Sequence, residues 1–144
     1  MYKYILIILI LISSNAYTAD HTVQMLNNGP GGLMVFEPGF IVAEPGDTIH
    51  FKATDMMHNS ESIPGMIPSD ATPWAGQMSQ DISVTLTKEG LYVYKCTPHM
   101  MMAMVGVIQV GSASNLQEIV TRAEKLKAQF AMNKDRLSNY LPNL

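Results

Sequence analysis

The chain has 144 residues, of which 47% are hydrophobic and 15% are charged. This length allows one packed domain and excludes a two-domain enzyme. The formal net charge is −3, so the composition gives no indication of a nucleic-acid partner. A single cysteine, Cys96, excludes an intramolecular disulfide. No cysteine lies near the N-terminus, so we expect no lipid anchor.

The first residues have the three-part layout of a secretory signal. Lys3 precedes the apolar run at residues 4–12, and small and polar residues follow at 13–19. The apolar run is too short to span a bilayer. We therefore expect residues 1–19 to be a signal peptide, cleaved after Ala16 or Ala19, and the mature protein to be soluble in the periplasm.

Short strand-like runs separated by turn residues follow the predicted signal. Seven runs are expected, at residues 21–27, 33–36, 39–43, 47–53, 82–87, 91–96 and 104–110. In the fourth, Ile49 and Phe51 alternate with Thr48 and His50, which indicates one buried and one solvent-facing side. These features predict an all-β sandwich or barrel. The long stretch 56–80 has Pro and Gly residues and no periodicity, which predicts a structured loop with a functional role.

The last part of the chain differs in charge and in pattern. Residues 112–144 hold five basic and three acidic side chains, whereas residues 20–111 hold three basic and nine acidic ones. Asn115 and Glu118 have the spacing of a helix N-cap and its acidic partner, and Thr121 begins a second segment of the same kind. Apolar residues recur there at helical spacing, so one or two helices are expected to close the chain.

Three side chains with metal-binding chemistry lie within nine positions of one another. Cys96 offers a thiolate, His99 an imidazole and Met104 a thioether. Copper(I) favours sulfur and nitrogen ligands and copper(II) accepts imidazole, so two His, one Cys and a weakly bound Met suit both oxidation states. Such a site requires a second imidazole from elsewhere in the chain.

The remaining histidines differ in their suitability as that second imidazole. His58 is preferred, because it begins the long loop at the end of a strand and can approach the Cys96 loop from there. His50 lies on the polar side of a strand and is expected to be exposed and structural. His21 is expected to face solvent, although cleavage after Thr18 would make it the third residue of an N-terminal copper(II) clasp.

A Cys–His pair also occurs in enzymes in which the imidazole activates a cysteine nucleophile. Here Cys96 and His99 lie in one tight loop, and no Asp or Asn is placed beside His99 to orient its ring. A small sandwich also offers no evident substrate pocket. We therefore expect that the protein is not an enzyme, and keep a thiol hydrolase or redox enzyme as the alternative.

Six short segments carry a resemblance to a known family. They are MVFEP at 34–38, PGDT at 45–48, HNSESI at 58–63, MIP at 66–68, YKCTPH at 94–99 and MVGV at 104–107. The chain resembles the type 1 blue copper proteins, or cupredoxins, and among them the pseudoazurins, over nearly all of its mature length. The resemblance implies an all-β, cupredoxin-like Greek-key sandwich of eight strands at residues 20–111. Residues 112–144 would then be a helical extension packed on this sandwich.

The resemblance also implies one type 1 copper ion that cycles between Cu(II) and Cu(I). In that family the copper is bound by the residues that match His58, Cys96, His99 and Met104. The spacing found in amicyanins would select Met102 instead, whereas the Cys-x2-His-x4-Met spacing of pseudoazurins and plastocyanins selects Met104. We expect Met104 as the axial ligand. The adjacent Asn59 is expected to form hydrogen bonds that fix the Cys96 loop.

The resemblance implies a diffusible, monomeric one-electron carrier of the periplasm that exchanges electrons through an exposed His99. The expected partners are periplasmic redox proteins, such as a copper nitrite reductase of denitrification or a cytochrome. Pseudoazurins ring this histidine with lysines, of which Lys95 is the main one here. The copper end is instead expected to be surrounded by a methionine rim, which we define as Met34, Met56, Met57, Met100, Met101 and Met102.

The methionine rim keeps a second hypothesis open. Thioether side chains are flexible and polarisable, and they bind soft metal ions as well as apolar surfaces. The alternative function is therefore a periplasmic copper carrier or storage protein that passes the metal to another cuproprotein through the rim.

Overall fold

The computed structural model describes residues 17–141. Of the predicted signal peptide only residues 17–19 fall within this range, and the rest of that prediction lies outside the described residues. Residues 17–141 form eight strands, one 3₁₀ helix and two α-helices. In chain order these are β1 Asp20–Gly29, β2 Gly32–Glu37, β3 Phe40–Ala43, β4 Thr48–Lys52, β5 Glu61–Ser62, β6 Ile82–Thr85, β7 Gly90–Lys95, the 3₁₀ helix Met100–Met102, β8 Val105–Val110, α1 Leu116–Lys127 and α2 Arg136–Tyr140.

The strands form two four-stranded sheets. One has the order β2-β1-β4-β6 and the other the order β3-β8-β7-β5. Each sheet is mixed, because β1 pairs with β4 and β3 pairs with β8 in parallel, while the other neighbours are antiparallel. Buried residues of both sheets, including Val23, Phe51, Tyr92 and Ile108, form one apolar cluster between them. The predicted sandwich is confirmed, and the barrel alternative is wrong.

The seven predicted strands are all present, with ends within two residues of the prediction. The strand that the sequence did not predict is β5, at Glu61–Ser62 inside the long loop. It pairs with the end of β7, and Ser62 also exchanges hydrogen bonds with Trp74 across the loop. Two residues are too few to show an alternating pattern, so only the tertiary pairing reveals this strand.

Strand β7 is buried on both sides and therefore has no polar alternation. Tyr92, Tyr94 and, just beyond the strand, Cys96 point into the cluster between the sheets. Leu91 and Val93 point to the opposite side, into a second apolar cluster. That second cluster joins β7 and β8 to the helices through Ile119, Ala123, Leu126, Phe130 and Leu137. Each such large side chain stabilises the fold by about 1.5–3 kcal/mol when fully buried, so the helical extension covers the outer side of the strand that leads to Cys96.

Asn115 and Thr121 were both predicted to begin a helix, and both have a different role in the structure. Asn115 precedes α1, but its side chain accepts a hydrogen bond from Leu91 N–H at 2.7 Å and donates one to Leu91 C=O at 3.0 Å. It thus attaches the helix to β7 rather than capping it. Thr121 lies inside α1 and donates to Gln117 C=O, so the expected second start there is wrong. No helix within residues 17–141 is long and apolar enough to cross a membrane.

The two histidines that were not preferred as ligands both make hydrogen bonds away from Cys96. His50 lies 2.7 Å from Ser83 Oγ and 2.9 Å from Asp20 Oδ1 through its two ring nitrogens, which agrees with a structural role. His21 was expected to face solvent, and this is wrong in part. Its Nε2 lies 2.8 Å from Asp47 Oδ2, because β1 pairs with β4 and brings the ring over the start of that strand.

The buried carboxylate of Asp47 binds Ala19, just before β1, and the turn before β4. It accepts hydrogen bonds from the amide N–H groups of Ala19 at 2.7 Å and Glu44 at 3.0 Å. These two N–H groups and His21 lower the pKa of Asp47 from 3.8 to about 2. A carboxyl group whose pKa is lower in the folded state stabilises the fold above its unfolded pKa and loses that effect as the pH falls toward the folded value.

We predict that Asp47→Asn removes this pH-dependent stability. In a chain beginning at Tyr17, the substitution should lower the free energy of unfolding at pH 7 by about 1 kcal/mol, because the amide replaces only part of the accepted hydrogen bonds. Urea unfolding between pH 2 and pH 7 measures the effect, with Glu124→Gln, which alters an exposed carboxylate of α1, as the control. A variant whose stability falls between pH 4 and pH 2 as steeply as that of the parent would contradict the assignment.

Candidate metal centre

Three potential metal ligands meet at one end of the sandwich. His58 lies on the loop between β4 and β5, while Cys96 and His99 follow β7. Their donor atoms all lie within 4.8 Å of one another. The two Nδ1 atoms of the histidines are 3.1 Å apart, and Cys96 Sγ lies 3.6 Å from that of His58 and 3.4 Å from that of His99. Two loops that are 38 residues apart in sequence thus present three donors to a single point.

The orientation of the His58 ring is fixed from its other side. Its Nε2 donates a hydrogen bond to Asn27 Oδ1 at 3.0 Å, which leaves Nδ1 free to face Cys96 and His99. The ring is fully buried. Burial lowers the pKa of His58, and the nearby His99 lowers it further. The imidazole is therefore held neutral, with the lone pair of Nδ1 directed at the cluster, as a metal ligand requires.

The thiol of Cys96 is also fully buried. Burial raises its pKa, and the amide N–H groups of Asn59 and His99 oppose part of that shift. Without metal the thiol therefore stays protonated at neutral pH, and it releases its proton when a metal ion binds. The burial also explains how a lone cysteine is protected from oxidation, since reaction requires an accessible thiolate.

Asn59 joins the two loops. Its Oδ1 accepts a hydrogen bond from Thr97 N–H at 2.8 Å, and its Nδ2 donates to Thr97 Oγ1 at 3.1 Å and to Gly76 C=O at 3.2 Å. The Thr97 hydroxyl in turn donates to Glu61 Oε2 at 2.8 Å. The residue after His58 is thereby bonded to the residue after Cys96, which holds the two donors at a fixed separation.

Met104 is placed differently from Met102. Its side chain is fully buried in the same apolar cluster as Cys96. Its backbone closes the loop, because Cys96 N–H donates to Met104 C=O at 2.9 Å and Met104 N–H donates to His99 C=O at 3.2 Å. Met102 lies in the 3₁₀ helix and is partly exposed. The burial of Met104 beside Cys96 favours it over Met102 as the fourth donor.

Part of the methionine rim is strongly exposed. Met56, Met57 and Met101 have 67%, 63% and 64% of their surface accessible. The expected surviving lysine, Lys95, is not free, because its Nζ lies 3.7 Å from Glu61 Oε1. This end of the molecule therefore exposes thioethers, and its Lys95 is paired with a carboxylate.

Three residues that contribute to the site were not predicted from the sequence. Asn27 orients His58, and Thr97 and Glu61 extend the hydrogen bonds of Asn59. Asn27 lies two residues before the end of β1 and precedes Asn28-Gly29, so the sequence offers there only the ordinary turn signal of an Asn-Gly pair. Its role depends on the pairing of β1 with β4, which no local pattern reveals.

The donor set fits a copper ion. The Cys96 sulfur and two imidazole nitrogens converge at one point, and the Met104 thioether is packed in the same apolar cluster as that sulfur. Soft sulfur donors combined with imidazole suit copper in both of its oxidation states, and a His₂Cys set with a weak Met defines blue-copper centres. The other ring nitrogen of His58 and the N–H group of Thr97 already have hydrogen-bond partners within the protein.

Comparison with known proteins agrees with this chemistry. Residues 23–111 match the family model of copper-binding proteins of the plastocyanin/azurin family. The chain is 42% identical to a pseudoazurin of Paracoccus pantotrophus over 126 residues, which covers 87% of each chain. It is 48% identical to a pseudoazurin of Methylorubrum extorquens over 89 residues, or 62% of this chain and 60% of the relative. The crystal structure of pseudoazurin from Hyphomicrobium denitrificans superposes with a TM-score of 0.72 at 37% identity, covering 85% of this chain and 95% of that one.

The fold and the donor set define a copper protein of the cupredoxin class. The chain belongs to the plastocyanin/azurin family of copper-binding proteins and, within it, to the pseudoazurins. It is therefore a blue copper electron carrier with copper as its cofactor, and it is not an enzyme. The expectation of a cupredoxin-like fold is confirmed, and the alternative of a thiol enzyme is wrong.

We predict that Asn59→Ala loosens the Cys96 loop. The variant leaves Thr97 N–H without its acceptor, so the copper affinity should fall about tenfold, as is typical when a group that orients a ligand is lost. The amide of Thr97 should exchange faster with solvent in the copper-free protein. The exposed Asn139→Ala is the matched control. Competition with a copper chelator measures the affinity, and equal affinity of the two variants would contradict this role of Asn59.

Proposed function

We propose that the protein is an exported, diffusible one-electron carrier whose type 1 copper is bound by His58, Cys96, His99 and Met104. The observation that carries the ligand set is the convergence of two imidazole nitrogens and one thiol sulfur within 4.8 Å. The buried Met104 completes it. Copper bound there would supply a Cu(II)/Cu(I) couple that accepts and releases one electron.

The residues around the donors would keep their positions nearly the same in both oxidation states. Asn27 fixes the ring of His58, and Asn59 fixes the loop that holds Cys96. Cys96, His58 and Met104 are fully buried, so water is excluded from the donors. Because the ligands are held in this way, little movement of the protein would be needed when the copper gains or loses an electron.

His99 supports the proposed route for the electron. It is the one member of the clustered His58, Cys96 and His99 that is not fully buried. The exposed thioethers of Met56 and Met101 belong to the methionine rim of the same end. A partner that docks on the rim would approach the His99 edge, and flexible thioethers suit a short-lived, adaptable contact.

The compartment and the partner are part of this proposal. The signal-like layout of residues 1–19 supports export, which makes the periplasm the expected location. A periplasmic copper nitrite reductase or a cytochrome would be the redox partner, and the carrier would act as a monomer.

We predict that copper(II) added to the copper-free protein gives one equivalent of an intense thiolate-to-copper band in the visible spectrum. Cys96→Ser should abolish the band, because the hydroxyl is not a soft ligand. Met104→Gln should shift the band and the reduction potential, whereas Met102→Gln should change neither. A colourless wild-type complex would contradict the copper-thiolate proposal, and an effect of Met102 equal to that of Met104 would contradict the axial assignment.

We predict that docking depends only weakly on charge. Lys95 is paired with Glu61 and the exposed side chains of the rim are apolar, so neither supplies a free charge to steer a partner. The bimolecular rate constant with a copper nitrite reductase or a c-type cytochrome should therefore change by less than about threefold between 20 and 200 mM salt. Stopped-flow mixing with the reduced carrier measures this rate. Glu61→Gln, which releases the charge of Lys95, should increase the salt dependence.

A steep, tenfold loss of rate with salt in the wild type would contradict the weak role of charge. Electron transfer to neither partner would contradict the proposed partners. The same mixing experiment also tests the copper-carrier hypothesis, which the exposed Met56, Met57 and Met101 favour. If the rim passes metal onward, a copper-free acceptor should gain the copper while the carrier loses its visible band. Retention of copper with electron transfer supports the electron-carrier proposal.

A further inference from the structure

The side chain of Arg136 is buried where the helical extension meets the copper end of the sandwich. Arg136 is the first residue of α2 and has only 8% of its surface exposed. Among the described residues, no carboxylate pairs with its guanidinium. The guanidinium instead donates to backbone carbonyl groups only, at 2.8 Å for Met34, 3.0 Å for Leu33, 3.2 Å for Gly31, 3.0 Å for Ala103 and a longer 3.5 Å for Met102.

A buried cation without a countercharge is costly, so its donors must be satisfied by well-placed acceptors. A planar guanidinium offers five N–H groups in a fixed fork, whereas a lysine ammonium offers three from a single atom and an apolar side chain offers none. Here it joins the start of β2 and the turn before it to the loop that leads to Met104. An apolar residue could not bind these carbonyl groups, so the contacts indicate a role in holding the two backbone segments.

The two carbonyls closest to Nη1 belong to residues with an unfavourable backbone. Met34 has φ = 47° and Ala103 has φ = 55°, the left-handed region that residues other than glycine avoid. Ala103 ends the 3₁₀ helix, and the chain then reverses into Met104 and β8. The left-handed conformation at Ala103 therefore determines where Met104 is placed. The Arg136 guanidinium binds the carbonyl group of Ala103.

The rest of the segment before α2 binds the same loop. Ala131 N–H donates to Met101 C=O at 2.8 Å, and Asn133 Nδ2 donates to Met102 C=O at 3.2 Å. Three successive carbonyl groups of the loop thus accept hydrogen bonds from residues 131–136. The helical extension thereby holds the loop between His99 and Met104 from outside the sandwich.

We propose that Arg136 is a positioning residue of the copper centre, which fixes the left-handed turn at Ala103 and thereby places Met104 beside Cys96. This inference rests on the proposed ligand set. The helical extension would then have a functional role in addition to covering β7 and β8.

The test compares Arg136→Lys and Arg136→Met with Arg122→Lys and Arg122→Met. Arg122 is an exposed arginine of α1 that pairs with Glu118, so the control variants make the same changes of charge and size away from the loop. Both Arg136 variants should lower the copper(I) affinity about tenfold or more relative to their controls. They should also shift the visible band and the reduction potential, and speed amide exchange of Met104 in the copper-free protein.

A purely structural role would give a different result. If the Arg136 variants only lower the melting temperature, while affinity, spectrum and Met104 exchange match those of the controls, the proposal is overturned. A wild type without the thiolate band would instead refute the underlying copper ligand set. Since Arg136→Met risks poor folding, the variant Ala103→Gly provides a second test of the same proposal.

Glycine accepts the left-handed conformation without strain, so a chain with Ala103→Gly needs less help at this turn. The loss of copper affinity caused by Arg136→Lys should therefore be smaller in the Ala103→Gly background than in the wild type. Equal losses in the two backgrounds would show that Arg136 does not act through Ala103, and would overturn the proposed mechanism. The matched cycle with Arg122→Lys should show no coupling to Ala103→Gly.

Discussion

The structure depends on holding three donor atoms from two distant loops at one buried point. His58 and Cys96 are 38 residues apart in the chain, yet their donors lie 3.6 Å from each other. The hydrogen bonds between Asn59 and Thr97 connect the two loops directly. The sheets serve this arrangement, because the loop after β4 carries His58 and the loop after β7 carries Cys96 and His99 to the same end of the sandwich.

The surrounding groups also set the chemical state of the donors. Burial and the neighbouring His99 keep His58 neutral, while the hydrogen bond to Asn27 selects which nitrogen faces inward. Burial keeps the Cys96 thiol protonated until a metal ion takes the place of its proton. His58, Cys96 and Met104 are thus shielded from water, while His99 and the exposed methionines of the rim face solvent.

The sequence predicts what is local and misses what depends on tertiary pairing. Cys96, His99 and Met104 lie within nine positions of one another, so their spacing alone indicated copper-binding chemistry. The strands bounded by clear turn residues were predicted correctly because those signals are local too. Asn27 and Arg136 were missed because their partners lie 31 and 33 or more residues away. Asn115 was misread as a helix cap because its true partner, Leu91, belongs to a different element.

A site that the protein holds by itself should keep its ligands in place with or without the metal. Crystal structures of the copper-free, Cu(I) and Cu(II) forms at one pH would show whether it does. We expect the donor atoms of His58, Cys96, His99 and Met104 to superpose within about 0.5 Å in all three forms. A copper-free form in which His99 has turned away, or in which the loop to Met104 has rearranged, would contradict it.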